Sequence, residues 1–342
     1  MCDGYMIHEA SLFEKLEKRK VKCHVCAHKC TIADGKRGIC GVRENRGGTL
    51  FTLIYNTVSS EAVDPIEKKP LYHFLPGTLS YSQGTIGCNF RCNHCQNWTI
   101  SQVRLEQAHI REIRPGESVA RALALDCASI SWTYNEPTIW HEFTYDSAKL
   151  AHEAELKTVY VTNGYITEDA LRDISPYLDA FRVDIKAFRD EFYRETCRAH
   201  LQPVLDSSVV ARELGMHIEV VNLIIPGKND DPKDTQNLIE WVLDNLGPKT
   251  PLHFTRFYPM YKMKDVSPTP VVTLERAWQM AKDMGMEYPY VGNVAGHEYE
   301  NTYCPGCGTL LIDRSGFQIA GNIIPEDKKC PDCGYGIAVV LD

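Results

Sequence analysis

The sequence predicts an α/β protein, a partial TIM-like (β/α)6 barrel with a small cysteine-rich metal-binding appendage at each end. Two observations carry this. From about Leu79 to Val291, short β-branched or apolar runs alternate with amphipathic helical stretches, the pattern of parallel strands joined by helical crossovers. Outside that stretch the alternation stops and cysteines gather instead. The expected division is residues 1–75 as a cysteine-rich extension, 76–299 as the barrel and 300–342 as a tail of short strands around the last cysteines.

Taken in order, the strand candidates are Leu79 to Ile86, Ser129 to Trp132, Thr158 to Val161, Ala180 to Val183, His217 to Ile225 and Leu252 to Phe257. Between them lie helical stretches such as Glu117 to Leu125, Thr138 to Leu156, Pro203 to Leu214, Lys233 to Leu246 and Thr273 to Met284. Gly and Pro are scattered at turns, and there is no repeat or low-complexity segment. The 342 residues suffice for one large domain with appendages, and a 44% hydrophobic content is that of a soluble globular protein.

The amino terminus carries charges at nearly every turn, and no stretch reaches the roughly 20 apolar residues of a membrane span, so the expected location is the cytoplasm. A net charge of -8 argues against a nucleic-acid partner, and the basic run Lys15 to Lys22 reads as a solvated helix end. In a reducing cytosol fourteen cysteines read as metal ligands or reactive thiols. Eleven fall into three sets: Cys23, Cys26, Cys30 and Cys40; Cys88, Cys92 and Cys95; and Cys304, Cys307, Cys330 and Cys333. Cys127 and Cys197 read as small buried side chains, and Cys2 sits on a terminus expected to fray.

The central set has CxxxCxxC spacing in the loop after the first barrel strand. In parallel-strand barrels the reactive groups gather at the carboxyl ends of the strands, where this loop falls. Three thiolates can hold three irons of a cubane and leave the fourth open; a zinc site of three cysteines and His94 is the alternative on spacing alone. The stretch Gly87-Cys88-Asn89-Phe90-Arg91-Cys92-Asn93-His94-Cys95 resembles the signature of the radical S-adenosylmethionine superfamily, with His94 where an aromatic residue usually stands. That resemblance implies a barrel of the radical SAM type and a [4Fe-4S] cluster on Cys88, Cys92 and Cys95. Its open iron would chelate the amino and carboxylate groups of S-adenosyl-L-methionine.

Later strand ends offer the polar groups such a cofactor needs. Thr133-Tyr134-Asn135-Glu136-Pro137 is similar to the Gly-Gly-Glu-Pro element of enzymes that activate glycyl radical proteins, with Tyr134 and Asn135 in place of the glycines. Pro137 biases Glu136 to an extended backbone; Asn135 is equally suited to capping a helix. Asn163, followed by Gly164, reads either as a cofactor contact or as a turn residue. Asp184 and Lys186 share one strand face, where they pair with each other or, as the resemblance implies, contact the cofactor's ribose and carboxylate. The run Val220 to Gly227 is similar to that family's strand-to-loop element, and His253 matches a cofactor-touching histidine or is a satisfied core histidine. Arg256, Tyr258 and Tyr261 follow as candidates for the substrate mouth.

The resemblance runs over nearly the whole chain and is closest to the AmmeMemoRadiSam system radical SAM enzymes, relatives of pyruvate formate-lyase activating enzyme. It is carried by Cys23 to Cys30 with Gly38 to Arg43, by the central set through Trp98, and by Gly292 through His297 to Gly308. It implies Memo-like and AMMECR-like proteins as partners and a reductant such as flavodoxin or ferredoxin. It further implies reductive cofactor cleavage to a 5'-deoxyadenosyl radical that takes hydrogen from a protein substrate. A small-molecule radical transformation and a non-catalytic scaffold for those partners are the alternatives. The tail cysteines form two Cys-Pro-x-Cys-Gly knuckles, the pattern of a zinc ribbon or rubredoxin-like iron site, with zinc expected. The first set suits structural zinc or an auxiliary cluster, and its spacing favours neither decisively; zinc is the expectation.

Overall fold

The structure is a computed structural model that describes residues 6–342, so Cys2 lies outside it. Eight strands form the main sheet: β1 (Ser60–Pro65), β2 (Leu79–Gly84), β3 (Ser129–Trp132), β4 (Lys157–Thr162), β5 (Ala180–Asp184), β6 (His217–Ile224), β7 (Leu252–Arg256) and β8 (Pro289–Gly292). Each pairs with its neighbours in sequence; β1 is antiparallel to β2, and β2 to β8 are parallel. The six expected barrel strands are therefore present, and two more flank them. Strand β1 escaped the pattern because its Ser-Glu-Ala-Val-Asp-Pro sequence is that of a half-buried edge strand, and β8 because Pro289 and Gly292 bound it and read as turn residues. β1 falls within the segment expected to be an extension.

Helical crossovers return the chain between parallel strands. They are α1 (Pro115–Ala124), α2 (His141–Glu153), α3 (Glu168–Ile174), α4 (Gln202–Glu213), α5 (Pro232–Asn245) and α6 (Val271–Asp283). Local chemistry sets their starts. The Asp231 carboxylate accepts from Lys233 N at 2.8 Å just before Pro232 at the first helical position, and Thr167 Oγ1 accepts from Ala170 N at 3.2 Å. One face of α5 then buries Leu238, Ile239 and Val242. No helix among the described residues is long and apolar enough to cross a membrane.

A buried carboxylate closes the amino-terminal end of the barrel. Glu219 accepts from Tyr72 N and His73 N, at 2.9 and 2.7 Å, and from the Nε2 atoms of His217 and His253, at 3.0 and 2.7 Å. Burial alone would raise its pKa, but the two histidine hydrogen bonds hold it well below the ordinary carboxylate value. The tail docks at the same end: strands β9 (Thr302–Tyr303), β10 (Leu310–Ser315) and β11 (Gln318–Asn322) form a small sheet, and Arg314 stacks over Tyr72 with 4.2 Å to the ring centroid.

The amino-terminal segment forms two three-stranded antiparallel sheets. The Lys15 to Lys22 run is not a helix end: Phe13–Lys15 and Val21–Cys23 pair as antiparallel strands around a 3-10 turn. The segment beyond it lies across the carboxyl end of the barrel, where Cys26 bridges to Ile166 and Ala27 N donates to Tyr165 O at 3.1 Å.

Candidate active site

The loop after β2 is pinned before its first cysteine. Asn135 accepts from Thr85 N at 3.0 Å and donates to Gly87 O at 2.9 Å, so it fastens the loop and does not cap a helix. Gly87 has φ of 91°, and a Cβ there would stand 2.8 Å from Cys40 O. Glycine is required by both the conformation and the space. Further along, Arg91 N and Asn93 N donate to Cys197 O and Thr196 O, at 2.8 and 3.0 Å.

So held, Cys88, Cys92 and Cys95 line one cavity of about 520 Å³ at the carboxyl ends of the strands. Asn135, Glu136, Asn163, Asp184 and Lys186 line the same cavity. Five residues from three later strand ends thus meet the three thiols, though they lie far away in sequence. The set of donors fits an iron-sulfur cluster. Burial and neighbouring negative groups push the Cys88 thiol well up, whereas Phe90 N donates to its sulfur at 3.3 Å. Burial and Cys92 raise Cys95, and the Lys186 ammonium works in the opposite direction on both Cys92 and Cys95. Thiols crowded in this way are released as thiolates when a metal replaces their protons.

Glu136 is buried and its carboxylate is fully occupied. Oε1 accepts from Thr138 N, Thr138 Oγ1 and Thr162 Oγ1, at 3.0, 2.6 and 2.6 Å, and Oε2 accepts from Asn163 N at 2.8 Å. Its backbone is extended, with φ of -111° and ψ of 113°, and it is Glu136 that caps the helical turn at Pro137. The residue before the cap pair, Tyr134, takes φ of 70°, a conformation more usual for the glycine that the resemblance places there. Asn163 bridges sites: its Nδ2 donates to Asn89 Oδ1 at 2.8 Å, and its Oδ1 accepts from Tyr165 N at 3.0 Å.

Asp184 accepts from Arg182 Nη1 at 2.7 Å and from Lys186 Nζ at 3.3 Å. Burial opposes its charge, yet these two cations bring its pKa below the ordinary aspartate value; Lys186 rises in turn, against its own burial, because Asp184 faces it. Arg182 also lines the cavity and its Nε makes no hydrogen bond. Sequence reasoning missed Arg182, which shares the strand face of Asp184 and Lys186 and so was open to the same period-of-two argument.

His253 takes the place of a satisfied core histidine, its alternative reading, and not that of a cofactor contact. His253 is fully buried one layer below the cavity, bonded to Glu219 and stacked on Tyr290 with ring centroids 5.1 Å apart, and does not line the cavity. Cys197 is buried, as expected, and it also lies close enough to Cys92 to push that thiol up. Nothing in its sequence surroundings signals that contact. His94 lines the cavity, with its pKa pushed down to about 3 by burial and by Lys186. It does not complete a zinc site: among the described residues the tail cysteines form the one group whose ligand atoms all lie within 4.8 Å of one another. Next to the wall residues Asn97 and Asn293, Trp98 stacks on Tyr261 with ring centroids 5.1 Å apart and Tyr258 donates to Asn293 O at 3.2 Å; none of the three aromatic residues lines the cavity itself.

Residues 82–242 match the radical SAM superfamily. The chain is 48% identical over 336 residues to the uncharacterized protein MJ0808 of Methanocaldococcus jannaschii, covering 98% of this chain and all of that one. The chain belongs to one family with MJ0808 and carries a radical SAM domain. It is also 23% identical over 254 residues to MJ0674 of the same organism, covering 71% of this chain and 68% of that protein. Among solved structures, a radical SAM methyltransferase from Sphaerobacter thermophilus shares the fold, with a TM-score of 0.50 and 16% identity over 68% of this chain and 70% of that one. The radical SAM fold implies S-adenosylmethionine and a [4Fe-4S] cluster.

The tail set is closed. Cys304 and Cys333 sulfurs lie 3.5 Å apart, Cys307 and Cys330 sulfurs 3.6 Å. In each knuckle the glycine N–H returns to the first cysteine carbonyl, Gly308 to Cys304 at 2.9 Å and Gly334 to Cys330 at 2.8 Å. Hydrogen bonds from Thr309 lower the Cys307 thiol to about 6, which favours the thiolate that a metal needs. The first set, Cys23, Cys26, Cys30 and Cys40, surrounds a separate void beside the barrel loop.

Proposed function

We propose that this chain is a cytoplasmic radical S-adenosylmethionine enzyme of the AmmeMemoRadiSam kind, an oxidoreductase that acts on a protein substrate. The observation that carries the reading is the meeting of three thiols with five polar residues around one cavity at the carboxyl ends of the barrel strands. When bound, the cluster and S-adenosyl-L-methionine supply a 5'-deoxyadenosyl radical able to take hydrogen from carbon. Cys88, Cys92 and Cys95 hold the cluster. Asp184 and Lys186, fixed by Arg182, orient the cofactor's ribose and carboxylate, while Glu136 acts through the backbone it immobilises. None is an acid-base catalyst.

The exposed Trp98, stacked on half-buried Tyr261 and next in sequence to Asn97 of the cavity wall, supports a protein substrate, since such aromatic faces suit peptide side chains. Reduced flavodoxin or ferredoxin is the expected electron source, and Memo-like and AMMECR-like proteins are the expected partners. Zinc in the tail set is structural. The test is anaerobic reconstitution with iron, sulfide, reductant and cofactor: the parent should form 5'-deoxyadenosine and Cys92→Ala should fall to background. Equal product from both would end the enzymatic reading. Deuterium passing from labelled partner protein into 5'-deoxyadenosine would support the protein substrate, and transfer only from a labelled small molecule would overturn it.

A further inference from the structure

We propose that Cys23, Cys26, Cys30 and Cys40 bind a second iron-sulfur cubane, with every iron held by a thiolate of this chain and with Arg43 donating to its sulfides. Of the two occupants open to these residues, zinc and an auxiliary cluster, this takes the cluster, and it stands independently of the chemistry of the barrel cavity.

The four cysteines converge on one void, whose other walls include Val25, Ile32 and Ile139. All four line that single void, so they share a site. Their spacing distinguishes its occupant. One tetrahedral zinc with bonds of about 2.3 Å draws its sulfurs to about 4 Å from one another. The tail cysteines are already arranged so, whereas no three of the amino-terminal cysteines bring their sulfurs within 4.8 Å of one another. They stand apart around a void, as the barrel triplet does. A cubane takes one thiolate at each iron corner and needs that wider arrangement.

Arg43 supplies a second, independent observation. Its side chain is 2% exposed and lines the void. Nη2 donates to Glu142 Oε2 at 2.6 Å, but Nε and Nη1 make no hydrogen bond. Two buried guanidinium nitrogens without acceptors are costly, because each has given up water for nothing. An anionic cluster with sulfides facing Arg43 satisfies them, and hydrogen bonds to cluster sulfur are a recognised way to tune such a centre. The site also touches the barrel loop: Cys40 O packs on Gly87, next to Cys88, and His28 Nε2 donates to Asn89 O at 2.8 Å.

The test uses the full chain carrying Cys88→Ala, Cys92→Ala and Cys95→Ala, reconstituted anaerobically with iron and sulfide. About four irons and four sulfides per chain should remain, against about eight of each in the parent. Adding Cys26→Ser and Cys40→Ser should remove them. A triple variant with no sulfide and about two zinc ions per chain would overturn the proposal, as would iron and sulfide that survive the loss of Cys26 and Cys40. Should the five-fold variant fail to fold, Mössbauer spectra of the iron-57 parent decide: two clusters are expected, of which S-adenosylmethionine perturbs one, and a single cluster would refute the inference. A failure of the barrel reading looks different, since the parent would then hold about four irons that the triple variant keeps.

Discussion

The tail and the barrel each gather cysteines, but they solve opposite problems. In the tail, two short knuckles aim four sulfurs at one point, and the backbone of each knuckle closes on itself through Gly308 and Gly334. Each turn is local to five residues, and the sulfurs then meet across the two knuckles, Cys304 with Cys333 and Cys307 with Cys330. In the barrel, one loop supplies three sulfurs and leaves one side of the cavity to Asn135, Glu136, Asn163, Asp184 and Lys186. The first arrangement has no open position and suits structure; the second is open and suits chemistry. Cysteine number matters less than whether a fourth protein ligand closes the site.

The largest expected effect separates the two sites outright. Cys304→Ala with Cys330→Ala should remove the tail metal and melt the tail sheet, read as one metal equivalent lost and a lower-temperature unfolding transition. Cofactor cleavage should stay within about twofold of the parent, because the tail touches the opposite end of the barrel. Loss of cleavage comparable to that of Cys92→Ala would merge sites that the fold keeps apart.

A smaller effect concerns how the tail is attached. His73 donates from Nδ1 to Ala338 O at 2.6 Å, so its Nε2 accepts from the Tyr290 hydroxyl, also at 2.6 Å. Burial pushes the His73 pKa down to about 4. The unfolded chain, with a histidine pKa near 6.5, therefore takes up the proton first. The resulting stability is present above about pH 6.5 and is lost as pH falls towards 4, amounting to about 3 kcal/mol in full. Denaturant titrations across that window should show the decline, and His73→Asn should flatten it.

The smallest expected effect sharpens the reading of the barrel's open side. Asp184→Asn removes the charge that Arg182 and Lys186 share, and should weaken cofactor binding by about 1–2 kcal/mol, roughly tenfold, with cluster content unchanged. Equilibrium binding of S-adenosylmethionine to the reconstituted variant, set beside its iron analysis, checks this. A loss of iron instead would make Asp184 part of the cluster's support and not of the cofactor's.

Much of this was legible before any coordinates. The six strands from Leu79 to Phe257 were visible as short apolar or β-branched runs alternating with amphipathic helical stretches, and the central cysteines because their spacing is contained in one loop. His253 shows where such reading stops. Its strand was identified correctly, and the sequence left it as a cofactor contact or a satisfied core histidine; the choice between them turns on its depth along the barrel, which depends on register with β6. There it stands opposite Val221, one layer below Thr255, which lines the cavity. Glu136 shows the same limit differently: its extended backbone followed from Pro137, yet the four donors that consume its carboxylate come from another strand end as well as its own.

The sequence by itself determined what is local: the order of βα units, the cysteine loop after the first strand of the parallel barrel, and the two tail knuckles, all set by turns and periodicities a few residues long. Tertiary structure alone decided how those pieces face one another. It brought Cys197 to Cys92, Arg182 to Asp184, and Arg43 into the void among Cys23, Cys26, Cys30 and Cys40. Long-range contacts depend on register and on which loops converge at one end of a barrel, and neither is encoded in the spacing of nearby residues.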